Sequence, residues 1–330
     1  MLPLPYNARI EASRLDQIDE LASRWRHLQP VTTEMKLAQQ SYDEDFLVRM
    51  AYNSNAIEGS TLTLADTEIV YEGEFVPDKP GRDQIAARGI FEGSAFIDEL
   101  FQEGACLDEN ILRDLHERCA LDLQPAARGM YRMAPAIIRA SRTVPTAPAK
   151  IRDEMKALFD LYEEAQDKLH PLISIAWFHA AFEDIHPFAD GNGRTGRLWM
   201  NAQLRDGLYS PITIKVDHSA EYKRGLESWQ ADDDPQPFVE LALAAEEEEL
   251  QQRIDFLSQG PIVQNDSIAA IRHGGEVLDV VRMNPRITSK QLASILGLSE
   301  RQIQRIIRAL QEAKLIKRVG AKKNGTWQIE

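Results

Sequence analysis

The stretch His186–Arg197, HPFADGNGRTGR, places a histidine, a carboxylate, a Gly-Asn-Gly turn and two arginines next to one another. Gly191 and Gly193 flank Asn192, so the backbone can turn tightly and direct several N–H groups towards one point. The residues that follow, TGRLWMNAQLRDGL, predict a helix. The N-terminus of a helix attracts anions through its unpaired N–H groups and its dipole. The turn is therefore predicted to bind an anion.

The charged side chains around the turn favour a polyphosphate as that anion. Arg194 and Arg197 are three residues apart, so both can project from one face of the first helical turn, where guanidinium groups suit phosphate oxygens. Asp190 directly precedes the turn, and a carboxylate beside bound phosphates is a usual ligand of Mg²⁺. The imidazole of His186 suits a general base near neutral pH. We interpret the stretch as a site that transfers a nucleotide's phosphorus group to a hydroxyl. A surface loop beside a core histidine is the simpler alternative.

The run IHPFADGNGRTGR resembles the signature of the Fic family, HPFx(D/E)GNGRxxR, and matches it at every specified position. The resemblance implies a mainly α-helical catalytic core. It also implies the transfer of AMP from ATP to a Ser, Thr or Tyr hydroxyl of a target protein, with Mg²⁺. The implied roles are a general base at His186, a Mg²⁺ ligand at Asp190, a phosphate-binding nest at Gly191, Asn192 and Gly193, and partners of the distal phosphates at Arg194 and Arg197.

A second motif, SNAIEG at Ser54–Gly59, resembles the inhibitory pattern of the same family, (S/T)xxxE(G/N). The resemblance implies that Glu58 pairs with the second arginine of the signature, Arg197. A carboxylate in that position takes the place of the ATP γ-phosphate, so the chain is predicted to be autoinhibited through an N-terminal inhibitory helix. An exposed glutamate at the end of a helix is the simpler alternative. The motif leaves open whether Glu58 acts within one chain or across a homodimer.

Residues 129–150, GMYRMAPAIIRASRTVPTAPAK, contain three prolines and a β-favouring Ile137–Ile138 pair. They predict a short β-hairpin or an extended loop between helices. The segment resembles the flap of the Fic family, to which an extended segment of the target protein adds as a strand. Tyr222, in HSAEYKRGLESW, resembles a family tyrosine near the nucleotide, and a core tyrosine is the alternative.

The C-terminal residues 284–330 carry ten Lys or Arg against three Glu, although the net charge of the chain is −14. From residue 275 the pattern predicts three helices, with a tight GLS turn before the third, and then a hairpin around Lys322–Gly325. This arrangement resembles a winged helix, which contacts either DNA or another protein. If it binds DNA, four residues near the start of the recognition helix meet the base edges: Arg301, Gln302, Gln304 and Arg305.

Apolar residues at helical spacing predict helices at 14–28, 44–59, 156–169, 173–185 and 300–315. The acidic run AAEEEEL at 244–250 is interpreted as a solvated helix face. His179 lies within an apolar helix and is interpreted as a core histidine, because no HExxH pattern or cysteine set accompanies it.

The chain of 330 residues has the composition of a soluble globular protein, with 43% hydrophobic and 27% charged residues. The N-terminus does not resemble a signal peptide and the longest apolar run is too short to span a bilayer, so we expect a cytoplasmic protein without membrane contact. The predicted parts are an N-terminal helical region with the inhibitory motif (1–105), a Fic core (106–258), a linker (259–274) and a winged helix (275–330).

These observations favour Mg²⁺-dependent adenylylation of a target protein, held back by Glu58. Two alternatives stay open. Removal of AMP from a target by hydrolysis uses the same residues, with Glu58 aligning a water molecule. The chain could also be a DNA-binding regulator with a catalytically silent Fic fold, although the intact signature counts against silence.

Overall fold

The computed structural model describes residues 2–28, 33–138, 141–258, 274–296, 298, 300–312, 315–319 and 326–329. They divide into two compact units, residues 1–98 with 106–260 and residues 99–105 with 261–330. Helices dominate both units, as the sequence predicts.

Ten α-helices lie before residue 258 in the described chain. They are α1 (Ala12–His27), α2 (Thr33–Ile57), α3 (Leu64–Tyr71), α4 (Gly81–Glu103), α5 (Glu109–Cys119), α6 (Ile151–Gln166), α7 (Pro171–Ile185), α8 (Asn192–Asp206), α9 (Ser219–Asp232) and α10 (Gln236–Leu257). Short 3₁₀ turns lie at Pro125–Ala127, Pro148–Lys150 and Val216–His218. The helices predicted at 14–28, 156–169 and 173–185 correspond to α1, α6 and α7.

The helices α7 and α8 form the centre of the larger unit. Nearly every residue of both is buried, which is why α7 is apolar on all sides rather than along one stripe. They pack against each other, and the connection between them runs from His186 to Gly191. Because both ends of this short loop are held by buried helices, its backbone is fixed from both sides.

The inhibitory motif lies at the C-terminal end of α2, which packs against α8. The sequence predicts a helix at 44–59, and the structure extends it back to Thr33 and ends it at Ile57. Gly59 follows with a φ of 91°, a left-handed conformation that glycine adopts without strain. The helix α3 then begins at a capping box between Thr63 and Asp66.

The segment 129–150 is predicted to be either a short β-hairpin or an extended loop, and the structure shows a loop. Within its described residues, the only β contact is an isolated antiparallel bridge between Tyr131 and Phe188. Three prolines remove backbone donors that a strand pair would use. The buried side chain of Arg132 donates hydrogen bonds to backbone carbonyls of the segment, those of Ala134 and Thr146. Residues 139 and 140 lie outside the described range.

The acidic run of α10 is not a solvated face throughout, and the interpretation of 244–250 is wrong on this point. Glu246 is 1% exposed and accepts a hydrogen bond from the backbone N–H of Ser210 at 2.9 Å. Glu249 is also buried, with Arg253 at 2.9 Å and the hydroxyl of Tyr42 at 3.1 Å. The sequence run does not reveal which glutamates face these partners.

The C-terminal residues form a winged helix-turn-helix around their own core. The helices α11 (Gly274–Met283), α12 (Ser289–Ile295) and α13 (Glu300–Glu312) precede the antiparallel strands β1 (Ile316–Val319) and β2 (Thr326–Ile329). Thr288 caps α12 in a capping box with Gln291, and Trp327 is buried among the helices. The two strands confirm the predicted hairpin, whereas its turn and most of the predicted linker lie outside the described residues.

In the ranges that the structure describes, no helix combines the length and apolar character needed to cross a bilayer.

Glu246 gives a test of this packing. Burial raises the pKa of Glu246 to about 8, well above its ordinary value of 4.5. The folded state therefore holds an extra proton between these pH values, and the free energy of unfolding falls as pH rises through this window. We expect the free energy of unfolding of Glu246→Gln to equal that of the wild type near pH 5. Near pH 9 it should be greater than that of the wild type by roughly 1–3 kcal/mol.

Calorimetric unfolding at both pH values measures this difference, with Glu248→Gln, an exposed neighbour on the same helix, as the control. A stability difference for Glu246→Gln that does not change with pH would contradict the assignment.

Candidate active site

His186 ends α7 and begins the signature loop. It adopts a left-handed conformation, with a φ of 50°, and its side chain is largely buried. Burial and the nearby charge of Arg132 lower the pKa of His186 below its ordinary value of 6.5. The imidazole is therefore neutral at pH 7 and can accept a proton.

A buried carboxyl group lies beside this imidazole. Oε2 of Glu183 is 3.8 Å from Nδ1 of His186. Both Nδ1 of His186 and Oε1 of Glu183 are buried without a hydrogen-bond partner among the described residues. Burial raises the pKa of Glu183 to about 8, so this group is mostly protonated near neutral pH.

The loop is closed by the side chain of Asn192. Its Oδ1 accepts the N–H of Phe188 at 2.9 Å and its Nδ2 donates to the carbonyl of Phe188 at 3.0 Å. The ring of Phe188 is fully buried and stacks on His116 with centroids 3.7 Å apart. The side chain of Asn192 thus shapes the turn, which leaves its backbone N–H for the predicted nest.

His116 joins the loop to the extended segment. Its Nδ1 accepts the N–H of Gly129 at 2.8 Å, so Nε2 carries the proton and donates to the carbonyl of Asp190 at 3.0 Å. Burial lowers the pKa of His116 to about 4, which keeps the ring neutral and this pattern of donors fixed.

Arg132 holds the other end of the same loop. It donates to four backbone carbonyls around the start of the loop and the extended segment, those of His186 at 2.7 Å, Ala134 at 3.0 Å, Ile185 at 3.3 Å and Thr146. Its own N–H donates to the carbonyl of Pro187 at 2.9 Å. Arg132 therefore fixes the segment 129–150 against His186, the residue predicted to be the base.

The turn Gly191, Asn192 and Gly193, here called the cradle, lies at the N-terminus of α8, where the sequence predicts that an anion binds. Gly191 has a φ of 80° and is the N-cap of α8. The first N–H groups of a helix have no partner within it, so those of Asn192 and Gly193 lie at the positive end of the dipole, whereas the N–H of Gly191 donates to Oδ1 of Asp190. A carboxylate oxygen of Glu58 occupies the space where a Cβ of Gly193 would lie.

Arg197 is buried and surrounded by hydrogen-bond acceptors. Its Nε donates to Oγ of Ser54 at 3.0 Å and its Nη2 to the carbonyl of Ser54 at 2.8 Å. Nη2 also donates to Oε1 of Glu58 at 2.7 Å, within the same chain. Nη1 donates to the hydroxyl of Tyr222 at 3.3 Å. The ion pair expected between Glu58 and Arg197 is thus present.

The pair is charged on both sides. Burial opposes the charge of the carboxylate, but the nearby guanidinium and its hydrogen bond hold the pKa of Glu58 below 4.5. In the same way, burial disfavours charged Arg197, but the Glu58 carboxylate raises the pKa of Arg197 above its ordinary value. An anion at the start of α8 is therefore already supplied by the chain itself.

Tyr222 lies in the core beneath Arg197. It is 3% exposed, and its hydroxyl lies 2.8 Å from Nε2 of His179 in addition to its contact with Arg197. His179 is buried as expected, and burial lowers its pKa to about 3. Tyr222 is therefore a core tyrosine, the alternative to a tyrosine near the nucleotide, and its hydroxyl is a hydrogen-bond partner of Arg197.

The other signature arginine has its own carboxylate. Nη1 and Nη2 of Arg194 lie 2.7 and 3.2 Å from the two oxygens of Asp122, whose side chain is 2% exposed. Arg82, at the start of α4, contacts Asp122 through Nε at 3.2 Å and Oδ2 of Asp190 through Nη2 at 2.7 Å.

Sequence patterns did not single out Arg82, His116, Asp122 or Arg132. All four lie more than 50 residues before the signature, so sequence spacing does not connect them to it.

Asp190 is suited to share a metal ion with bound phosphates. Its Oδ1 accepts the N–H of Gly191 at 2.7 Å, and nearly half of its side chain is exposed. Within the described residues, no group of three or more His, Cys, Asp or Glu side chains could hold a metal ion unaided. A single carboxylate that is completed by phosphate oxygens and water fits the donor set that Mg²⁺ prefers.

The four residues proposed for DNA contact lie in the first two turns of α13. Gln302, Gln304 and Arg305 are exposed, and Ile303 between them is buried in the core of the winged helix. The backbone of Arg301 is helical. The helix thus presents one polar face at its N-terminal end.

Residues 106–204, which include α5, α7 and the whole signature loop, match the family model described as the Fic/DOC family. These residues form a Fic/DOC domain. A second match covers residues 275–317 and is described as winged helix-turn-helix DNA-binding. The inhibitory motif precedes the Fic/DOC match, so Glu58 enters the site from outside the matched residues.

Relatives and solved structures extend the likeness beyond the Fic/DOC domain. The chain is 31% identical over 223 residues to "Protein adenylyltransferase Fic" of Nematostella vectensis, a match that covers 66% of this chain and 51% of the relative. A Fic domain containing signalling protein from Bacteroides thetaiotaomicron is 27% identical, with a TM-score of 0.65, over 73% of this chain and 97% of that protein. The chain spans about half the length of the curated relatives it matches.

A Fic family protein from Desulfovibrio desulfuricans G20 matches nearly the whole length of both chains. It is 25% identical with a TM-score of 0.63 and covers 98% of this chain and 97% of that one.

Proposed function

We propose that the chain transfers AMP from ATP to a hydroxyl side chain of a target protein. The observation that carries the proposal is the signature segment, which places a neutral imidazole at the end of α7 and a glycine-rich turn and two buried arginines at the start of α8. Relatives named protein adenylyltransferase at 25–31% identity support the reaction type.

In this mechanism His186 accepts the proton of the target hydroxyl as its oxygen attacks the α-phosphorus of ATP. The new O–P bond forms while the bond to pyrophosphate breaks. The N–H groups of the cradle and the guanidinium groups of Arg194 and Arg197 hold the phosphates and stabilise the developing charge. Asp190 is the residue that would hold Mg²⁺, which supplies neutralisation of phosphate charge when bound.

The target is proposed to bind as an extended segment along the flap, residues 129–150. Three apolar side chains there are almost fully exposed, Met133 at 95%, Ile137 at 88% and Val144 at 86%. Apolar side chains that stand in solvent beside a catalytic loop are typical of a docking surface. Within its described residues the segment has no β partner beyond the Tyr131–Phe188 bridge, so a target strand can add to it.

Glu58 is proposed to inhibit the transfer from within the same chain. Its carboxylate lies at Arg197 and in the space beside Gly193, where the distal phosphate of ATP has to lie. ATP therefore competes with an intramolecular anion for one guanidinium. The pair contributes about 1–2 kcal/mol, less than for a fully buried pair because 44% of the Glu58 side chain is exposed.

The C-terminal winged helix is proposed to contact DNA through the exposed face of α13. The match to a DNA-binding winged helix family and the excess of basic residues in 284–330 support this role. Docking of another protein on the same face is the alternative outcome of its test.

Glu58→Gly is expected to raise adenylylation by about five- to thirtyfold, the factor that corresponds to about 1–2 kcal/mol. Labelled ATP, Mg²⁺ and cell lysate, followed by autoradiography, measure the transfer. Glu72→Gly, an exposed glutamate at the end of α3, is the control and should leave the rate unchanged. Arg197→Ala should be inactive alone and in combination with Glu58→Gly, with circular dichroism confirming the fold.

Equal labelling by the wild type and Glu58→Gly would exclude the inhibitory role. The hydrolytic alternative predicts a different result, namely that the wild type releases AMP from a labelled protein and Glu58→Gly does not.

His186→Ala, introduced together with Glu58→Gly, should lose about a hundred- to ten-thousandfold in rate while its affinity for ATP stays the same. The lowered pKa of His186 also sets the pH profile of Glu58→Gly. Because the neutral imidazole is the active form, the rate should stay constant down to the ordinary histidine value of 6.5 and fall only below it. A profile that already falls above pH 6.5 would contradict this assignment.

The full chain should bind duplex DNA with an affinity that falls steeply as salt increases. Arg301→Ala and Arg305→Ala should each weaken binding, as measured by fluorescence anisotropy, whereas Lys156→Ala, on the exposed surface of α6, should not. An absence of binding at low salt would favour protein docking.

A further inference from the structure

Arg82 joins two carboxylates of the active site. Its Nη2 lies 2.7 Å from Oδ2 of Asp190, and its Nε lies 3.2 Å from Oδ2 of Asp122. Asp122 in turn holds Arg194 through both oxygens. The four side chains form one connected series of alternating charge, here called the Arg82 bridge, which links a predicted phosphate ligand to the predicted metal ligand.

The position of Arg82 in its helix is unfavourable unless these carboxylates are present. It lies in the first turn of α4, where the helix dipole disfavours a positive charge. The two carboxylates offset this effect, and they hold the guanidinium although 65% of the Arg82 side chain is exposed. Asp122 is almost fully buried, so the fixed end of the bridge is Asp122 and the end that can open is Asp190.

We propose that Arg82 occupies the cation position at Asp190 and that a divalent cation binds this carboxylate only when Arg82 gives way. The inference rests on the proposed function, in which Asp190 is the metal ligand. A guanidinium and a divalent cation cannot both lie close to the same oxygen, because their charges repel each other. Arg82 therefore sets how strongly nucleotide binding depends on Mg²⁺.

The Arg82 bridge is connected to the inhibitory segment. The next residue, Asp83, accepts hydrogen bonds from the N–H of Thr61 at 2.7 Å and from its Oγ1 at 2.8 Å. Thr61 follows Glu58 by three residues. The start of α4 is thus hydrogen-bonded to the loop that directly follows Glu58.

Calorimetric titration with ADP tests the inference without relying on activity. ADP has no γ-phosphate to compete with Glu58 for Arg197. Its dissociation constant is measured in EDTA and in saturating Mg²⁺, and the ratio of the two values reports the contribution of the cation. Arg82→Ala is compared with the wild type, with Asp190→Asn and with Arg88→Ala, an exposed arginine of α4 that pairs with Glu92. Arg82→Gln serves as a second variant if circular dichroism shows that Arg82→Ala is unfolded.

Arg82→Ala is expected to raise the ratio by roughly two- to fivefold, the range for an exposed ion pair. Arg88→Ala should keep the wild-type ratio, and Asp190→Asn should reduce the ratio to near one. An unchanged ratio in Arg82→Ala, or an equal rise in Arg88→Ala, would overturn the proposed competition while Asp190 remains the ligand. A wild-type ratio in Asp190→Asn would instead refute the metal role of Asp190 and the inference with it.

Discussion

The guanidinium of Arg197 is the group around which the larger unit is arranged. Arginine keeps its charge in proteins, and a buried charge without partners is very costly. Arg197 is 5% exposed, so the fold has to bring acceptors to it from elsewhere in the chain. Ser54 and Glu58 come from the end of α2, and Tyr222 comes from α9. The hydrogen bonds of the Arg197 guanidinium thus fix the ends of α2 and α9 against α8.

Small residues of α8 make this arrangement possible. A Cβ at Gly193 would collide with the carboxylate of Glu58, and one at Gly196 would lie 2.8 Å from Oε1 of Glu183. One glycine therefore gives room to an anion at the cradle, and the other gives room to the carboxyl group beside the base. The gap at Gly193 holds the carboxylate of Glu58, and under the proposed function a phosphate of ATP competes for the same space.

The sequence predicted the local part of this site well and the distant part poorly. The turn, the helix start and the two arginines lie within one short segment, where geometry follows from spacing alone. Glu58 was found only through a family resemblance. Asp122 and Arg82 were missed, because a charged residue on a helix usually faces solvent and its spacing does not reveal a partner 72 or 108 residues away. The sequence did not predict the burial of Glu246 for the same reason.

The charges around the cradle are balanced locally, although the chain has a net charge of −14. The charges that matter are close to the cradle, where Glu58 faces Arg197, Asp122 faces Arg194, and Arg82 spans Asp122 and Asp190. Three carboxylates and three arginines compensate one another there, so the basic groups of the site lie in internal ion pairs. Under the proposed function, a nucleotide and its cation exchange partners with these pairs. We therefore expect the strength of each internal pair, more than the net charge of the chain, to determine how tightly the nucleotide binds.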